Sequence, residues 1–164
     1  MSKLPPALAS RRDMLRLLGL AAGSAALPAT AFAQAEAPTF PITDEYRRAR
    51  LAASKGRQPK QGRILLDIPR LAESGNSVAM KVTVASPMTP TDYVREILIL
   101  SERNPITEIA RFTLTPRSGR AEVQTNIRLA TTQNVHAFAE MSDGSVWTAS
   151  TEVVVLLAAC IDGS

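Results

Sequence analysis

From Pro59 onward apolar and polar residues alternate with a period of two, which restricts this part of the chain to half-buried strands. Ile64, Leu66 and Ile68 alternate with Arg63, Leu65 and Asp67, and Val78, Met80, Val82 and Val84 with Ala79, Lys81, Thr83 and Ala85. A third run covers Val94 to Leu100, and a fourth places Ala110, Phe112 and Leu114 on one face. Val123, Thr125, Ile127 and Leu129 form the fifth inner face and Val135, Ala137, Ala139 and Met141 the sixth, while a last run extends from about Val146 to Leu157. Turn residues separate the runs at Ser74-Gly75-Asn76, Ser86-Pro87, Asn104-Pro105, Ser118-Gly119 and Asp143-Gly144. The last of these predicts a two-residue hairpin turn, with the Asp-Gly pair supplying positive φ. One wet and one buried face per strand predicts two antiparallel sheets packed face to face. About seven short strands at this spacing predict an all-β, immunoglobulin-like antiparallel sandwich. The Cys…Trp…Cys signature of antibody domains is absent, and with only 4% aromatic residues the core must be aliphatic.

Ahead of the strands the period is helical. Thr43 can cap a short helix with Asp44 and Glu45 in its first turn and Arg47, Arg48 and Arg50 later, ending at Gly56. Residues 34–42 look like a tether. Before them, Ser10-Arg11-Arg12-Asp13-Met14-Leu15-Arg16 matches the twin-arginine export pattern. An apolar stretch from Leu17 to Leu27 follows, too short and too rich in Ala and Gly for a stable membrane anchor. Ala31-Phe32-Ala33 supplies a cleavage signal, so the mature chain is expected to begin at Gln34, in the periplasm. The expected organisation is therefore a signal peptide (1–33), tether and helix (34–59), sandwich (60–157) and C-terminal arm (158–164). The formal charge of +4 belongs mainly to the leader, where Lys3, Arg11, Arg12 and Arg16 face Asp13 alone. It gives no reason to expect nucleic-acid binding.

Most catalytic constellations fail by absence. With one Cys and one His the chain holds no disulfide framework and no common zinc site, and no phosphate-cradling glycine loop follows a strand. No cofactor and no metal are expected. His136 falls mid-strand with Phe138 and Glu140 on its face and reads as a surface or half-buried residue; Trp147 reads as packing. Asp92, Glu96, Glu102 and Glu108 lie at strand ends and loops, where solvated charges belong. Cys160 is different. An unpaired thiol four residues from the C-terminus of an exported protein is either functional, buried and inert, accidental on a frayed tail, or paired with another chain.

From Gln58 onward the sequence resembles the SoxY family, sulfur-carrier subunits of the periplasmic thiosulfate-oxidising Sox system. The matching stretches are Ile-Pro-Arg-Leu-Ala-Glu-Ser-Gly-Asn (68–76), Ser-Pro-Met-Thr (86–89) with Asp92-Tyr93-Val94, and Ser-Glu-Arg-Asn-Pro (101–105). They continue with Ile127-Arg128-Leu129-Ala130, Thr132-Gln133-Asn134-Val135 and Ala139-Glu140-Met141-Ser142-Asp143-Gly144-Ser145. The resemblance implies an immunoglobulin-like sandwich, a heterodimer with a SoxZ-like subunit, and export by the twin-arginine route with that partner as folded passenger. It also implies that Cys160 carries the substrate covalently. A c-type haem enzyme would couple thiosulfate oxidatively to the thiol, a hydrolase would release sulfate, and further partners would oxidise the remaining sulfur; the protein itself would not be an enzyme.

The arm departs from the family's Gly-Gly-Cys-Gly-Gly, reading Ala158-Ala159-Cys160-Ile161-Asp162-Gly163-Ser164. Three residues from Leu157 to Cys160 can span about 10 Å when extended. The alanines and the β-branched Ile161 restrict the backbone and thicken the tail, and the Asp162 carboxylate is expected to raise the thiol pKa. Two readings stay open: a carrier with a modified arm, or a periplasmic adaptor that keeps the sandwich and partner without the covalent step. An autonomous enzyme finds no base or metal beside the thiol.

Overall fold

The computed structural model describes residues 41–159. The leader with Arg11 and Arg12, and the tail residues Cys160 and Ile161, lie outside the described residues. One helix, α1 (Asp44–Ser54), precedes eight strands: β1 (Ile64–Asp67), β2 (Leu71–Ser74), β3 (Val78–Val84), β4 (Val94–Ser101), β5 (Glu108–Thr113), β6 (Glu122–Ile127), β7 (Gln133–Met141) and β8 (Val146–Leu157). They form a three-stranded sheet in the order β1-β3-β6 and a five-stranded sheet in the order β2-β8-β7-β4-β5. The two sheets make an immunoglobulin-like β-sandwich. Its core is aliphatic, as the composition required: Met80, Val82 and Val84 face Ile97, Ile99, Ala137, Ala139, Met141 and Val153, all buried.

Thr43 caps α1 as expected, its Oγ1 accepting the Tyr46 N–H at 3.1 Å. The helix ends one residue earlier than the glycine suggested. Lys55 already adopts the left-handed conformation (φ 49°), its N–H donating to the Ala52 carbonyl, and Gly56 follows at φ 71°. The Lys55 ammonium pairs with the Glu140 carboxylate, which ties the end of α1 to β7.

Three features depart from the sequence reading. There are eight strands among the described residues rather than about seven, because β2 lies between the first alternating run and the Ser74-Gly75-Asn76 turn. Four residues with Leu71 exposed and Ala72 buried give no apolar alternation to detect. That strand pairs in parallel with β8, so the five-stranded sheet is mixed rather than purely antiparallel. The β7–β8 connection is not a two-residue turn with two positive φ values. The Gly144 N–H donates to the Met141 carbonyl and the Met141 N–H to the Ser145 carbonyl, each at 2.9 Å, and only Gly144 has positive φ (80°). This is a three-residue loop closed by a glycine bulge.

The outer face of the five-stranded sheet is not uniformly wet. Leu98 and Leu100 of β4, Phe138 of β7 and Val146 of β8 form a second buried cluster beneath Tyr46, Ala49 and Ala53 of α1. The unbroken apolar run of β4 is thereby explained: its inner side chains fill the sandwich and its outer ones lie under the helix. The described residues include no helix long and apolar enough to cross a membrane.

Candidate functional site

Strand β8 delivers the chain to the expected carrier residue. Over its first part it pairs antiparallel with β7, and its last residues run parallel to β2, with Leu71 opposite Val154 and Ser74 opposite Leu157. Gly75 then laces three segments together: its N–H donates to the Leu157 carbonyl at 2.8 Å, and its own carbonyl accepts the Leu129 N–H at 2.8 Å. The Ala159 N–H returns to the Leu129 carbonyl at 3.3 Å. Ala158 is exposed, but Ala159 is only 3% exposed and is built into the domain. Of the residues expected to flank the thiol on a free arm, Ala159 therefore belongs to the scaffold. The reach reckoned from Leu157 shrinks to a single step from Ala159, about 3.8 Å between neighbouring Cα atoms. A cavity of about 360 Å³, lined by Asn104, Pro105, Ile106, Ile127 and Ala130, opens beside Ala159.

A second constellation lies under α1. His136 and Glu102, 34 positions apart, meet because β4 and β7 place Leu100 opposite His136, and Glu102 follows two residues later toward the same face. Nε2 of His136 lies 2.8 Å from Oε1 of Glu102, while Oε2 of Glu102 accepts the Asn134 amide at 3.0 Å. Glu102 is buried, so the solvated charge expected there is instead one member of an interior pair. Desolvation pushes its carboxyl up, but the hydrogen bonds from His136 and Asn134 outweigh it and hold the pKa below the ordinary 4.5. Burial pushes His136 below its ordinary 6.5, against the pull of Glu102 and with the help of Arg50. At neutral pH the pair is thus a neutral imidazole donating its Nε2 proton to a carboxylate.

The Tyr46 ring sits 5.3 Å from the His136 ring. Its hydroxyl is buried with no hydrogen-bond partner, an arrangement that costs about 1–3 kcal/mol. Burial and the Glu102 charge push the Tyr46 pKa up to about 12, against the opposing pull of the nearby Arg50 guanidinium. A cleft of about 580 Å³ runs along these residues, between α1 and strands β7 and β8. The sequence offered no signal for it beyond the lone His136, since the strand register that joins His136 to Glu102 is a tertiary property.

Both shifts act in one direction with pH. The depressed His136 favours the folded state fully above pH 6.5, and this contribution is lost as pH falls below 6.5 toward the folded pKa. The depressed Glu102 contributes fully above pH 4.5 and is lost as pH falls through its lower folded value. Thermal melts from pH 7 to pH 4 are expected to show a falling midpoint that is flatter in a Glu102→Gln, His136→Gln double variant. An equal slope in the two proteins would remove the pair as its source.

The remaining candidates are structural. Trp147 packs against the sandwich core; its Nε1 donates to Ser145 Oγ at 3.1 Å, and the Arg63 guanidinium lies 4.9 Å from its ring centre. Glu96 and Glu108 hold Arg111 at 2.8 and 2.7 Å on the surface of β4 and β5, a network of modest value at such exposure. Among the described residues no three His, Cys, Asp or Glu side chains converge to hold a metal ion.

Fold and C-terminal geometry define the class: an immunoglobulin-like sandwich whose last strand runs, through an anchored Ala159, into a cysteine-bearing tail. Within that class the chain belongs to the SoxY family, since the family model for sulfur oxidation protein SoxY matches residues 48–160, from α1 to Cys160. Among solved structures it is similar to the sulfur carrier protein SoxY from Chlorobium limicola f thiosulfatophilum, with 26% identity over 69% of this chain and 98% of that one and a TM-score of 0.55. It also resembles a superoxide reductase (neelaredoxin) from Ignicoccus hospitalis, at 17% identity over 57% of this chain and 80% of that one with a TM-score of 0.51. A superoxide reductase from Nanoarchaeum equitans is similar at 14% identity, over 58% of this chain and all of that one, with a TM-score of 0.50. These two share the fold alone. No curated protein matches the sequence significantly.

Proposed function

We propose that this protein is a periplasmic sulfur carrier that holds thiosulfate-derived sulfur covalently on Cys160. The observation that carries the reading is that the family match runs the length of the sandwich and ends on that cysteine. In the loading step the Cys160 thiolate and the outer sulfur of thiosulfate join in a disulfide bond, and two electrons pass to a c-type haem enzyme. Water then cleaves the sulfur–sulfonate bond in a partner hydrolase, releasing sulfate and two protons and leaving a persulfide on Cys160. The sandwich does none of this chemistry; it presents the thiol. Export through the Arg11-Arg12 signal would bring the domain out already folded, with a SoxZ-like subunit bound.

A second reading, an adaptor without the covalent step, is favoured by two observations. The thiol stands among Ala158, Ala159, Ile161 and Asp162 instead of glycines, and Ala159 is anchored, which shortens the free tail. Intact-mass measurement of protein taken from cells oxidising thiosulfate decides between them. The wild type is expected to carry a sulfur adduct that Cys160→Ser lacks, with the melting temperature of the two differing by no more than a degree or two. Wild-type protein free of adducts during turnover would leave the adaptor.

A further inference from the structure

The cleft between α1 and the outer face of β7 and β8 is far from the end of β8. From Ser150 on its floor to Leu157 at the end of β8 is seven strand residues, about 23 Å. Its charged lining is one-sided: Arg47 and Arg50 line it and no Asp or Glu does. The buried Tyr46 hydroxyl has no acceptor, and Gln61, Thr148 and Ser150 add further hydrogen-bond donors. Arg50 forms no ion pair with an acidic residue among the described residues, whereas the neighbouring Arg47 is held by Asp44 at 2.8 Å. The Glu102 carboxylate accepts from His136 and Asn134 and makes no hydrogen bond with the Tyr46 hydroxyl. A cleft with an unpaired cation, an orphaned buried hydroxyl and no carboxylate in its lining is complementary to an anion with several acceptor oxygens.

We propose that this cleft binds a small inorganic oxyanion of the sulfate or thiosulfate type, with the Tyr46 hydroxyl and the Arg50 guanidinium as its two principal contacts. The inference does not rest on the carrier reading, since none of these residues belongs to the arm. The volume, about 580 Å³, holds such an ion with part of its hydration shell. Tyr46 keeps its proton at any working pH, so it acts as a donor throughout.

The test is calorimetric titration of the purified protein with sodium sulfate and sodium thiosulfate, with ionic strength held constant by sodium chloride. Saturable binding is expected for the wild type, weakened at least tenfold by Arg50→Gln and about fivefold by Tyr46→Phe. Arg48→Gln, on α1 but outside the cleft lining, is expected to bind as the wild type does. Tyr46→Phe keeps the packed ring and deletes only the unpaired hydroxyl, so without the anion its melting temperature is expected to equal or exceed that of the wild type. With saturating sulfate the order reverses. A merely structural tyrosine would not produce that reversal. Absence of saturable binding, an equal response to chloride, or wild-type affinity in both Tyr46→Phe and Arg50→Gln would overturn the proposal.

Discussion

Replacing Gly75 with alanine is expected to lower stability by about 3 kcal/mol, a loss of roughly 10–20 °C in melting temperature for a domain of this size. The effect comes from close approach rather than backbone strain, because Gly75 does not have positive φ. A Cβ there would stand 2.0 Å from the Leu129 carbonyl oxygen and 3.0 Å from the Ala159 nitrogen. Both obstacles are backbone, so no side chain can swing aside. Making room would disturb the three hydrogen bonds that join the β2–β3 turn, the segment after β6 and the end of β8. Gly119→Ala is the informative control. It has open space around the new methyl group but a φ of 72°, so its cost of about 1–3 kcal/mol is backbone strain alone and should leave the C-terminus no more open to protease. Thermal unfolding followed by circular dichroism measures both, and limited proteolysis of Gly75→Ala should clip the C-terminus faster as Ala159 loses its anchor. A Gly75→Ala protein within 0.5 kcal/mol of the wild type would mean that the three segments are not mutually dependent.

That lacing shows where the sequence was legible and where it was not. The alternating runs of β3 and β6 announce themselves because one face of each is buried and the other is open to water, a pattern written residue by residue. The cap at Thr43 is equally local. What escaped depends on partners distant in sequence. β2 exists because β8 lies beside it, and Glu102 is buried because His136 and Asn134 stand across from it. The apolar run of β4 was visible, but not that a helix covers its outer face.

The stretches that carry the family resemblance have the same explanation. Asn104 accepts from the Ala130 N–H at 2.9 Å and from the Gln133 amide at 2.7 Å, and donates to the Arg128 carbonyl at 2.8 Å. Gln133 in turn accepts the Arg103 N–H at 2.8 Å. The segments 101–105 and 127–135 are therefore two halves of one polar staple. The resemblance in them reports the scaffold, while the arm, where the sequence diverges, makes only the contacts of Ala159 within the described residues.

A glutamate in place of Leu156 is expected to weaken association with a SoxZ-like subunit by at least about 100-fold, or about 2.7 kcal/mol. Helix α1 covers one end of the outer face of the five-stranded sheet, and among the described residues nothing covers the other end. There Leu71, Val154 and Leu156 stand on adjacent strands, 57%, 40% and 61% exposed, with Leu71 directly opposite Val154. Three large aliphatic side chains gathered on one flat face mark an interaction surface in a way that scattered ones do not. The surface also adjoins the end of β8 and is separate from the residues that line the α1 cleft. Burying one such leucine is worth about 1.5–3 kcal/mol, and a carboxylate in its place adds a desolvation penalty. Leu65→Glu serves as the control, since Leu65 is 66% exposed on β1, in the other sheet. The two variants are to be compared with the wild type by co-expression with the partner, gel filtration and titration of the separated subunits. Loss of binding in Leu65→Glu with retention in Leu156→Glu would move the interface to the three-stranded sheet. Self-association of the wild type that Leu156→Glu abolishes, without any complex with the partner, would assign the strip to a second copy of this chain.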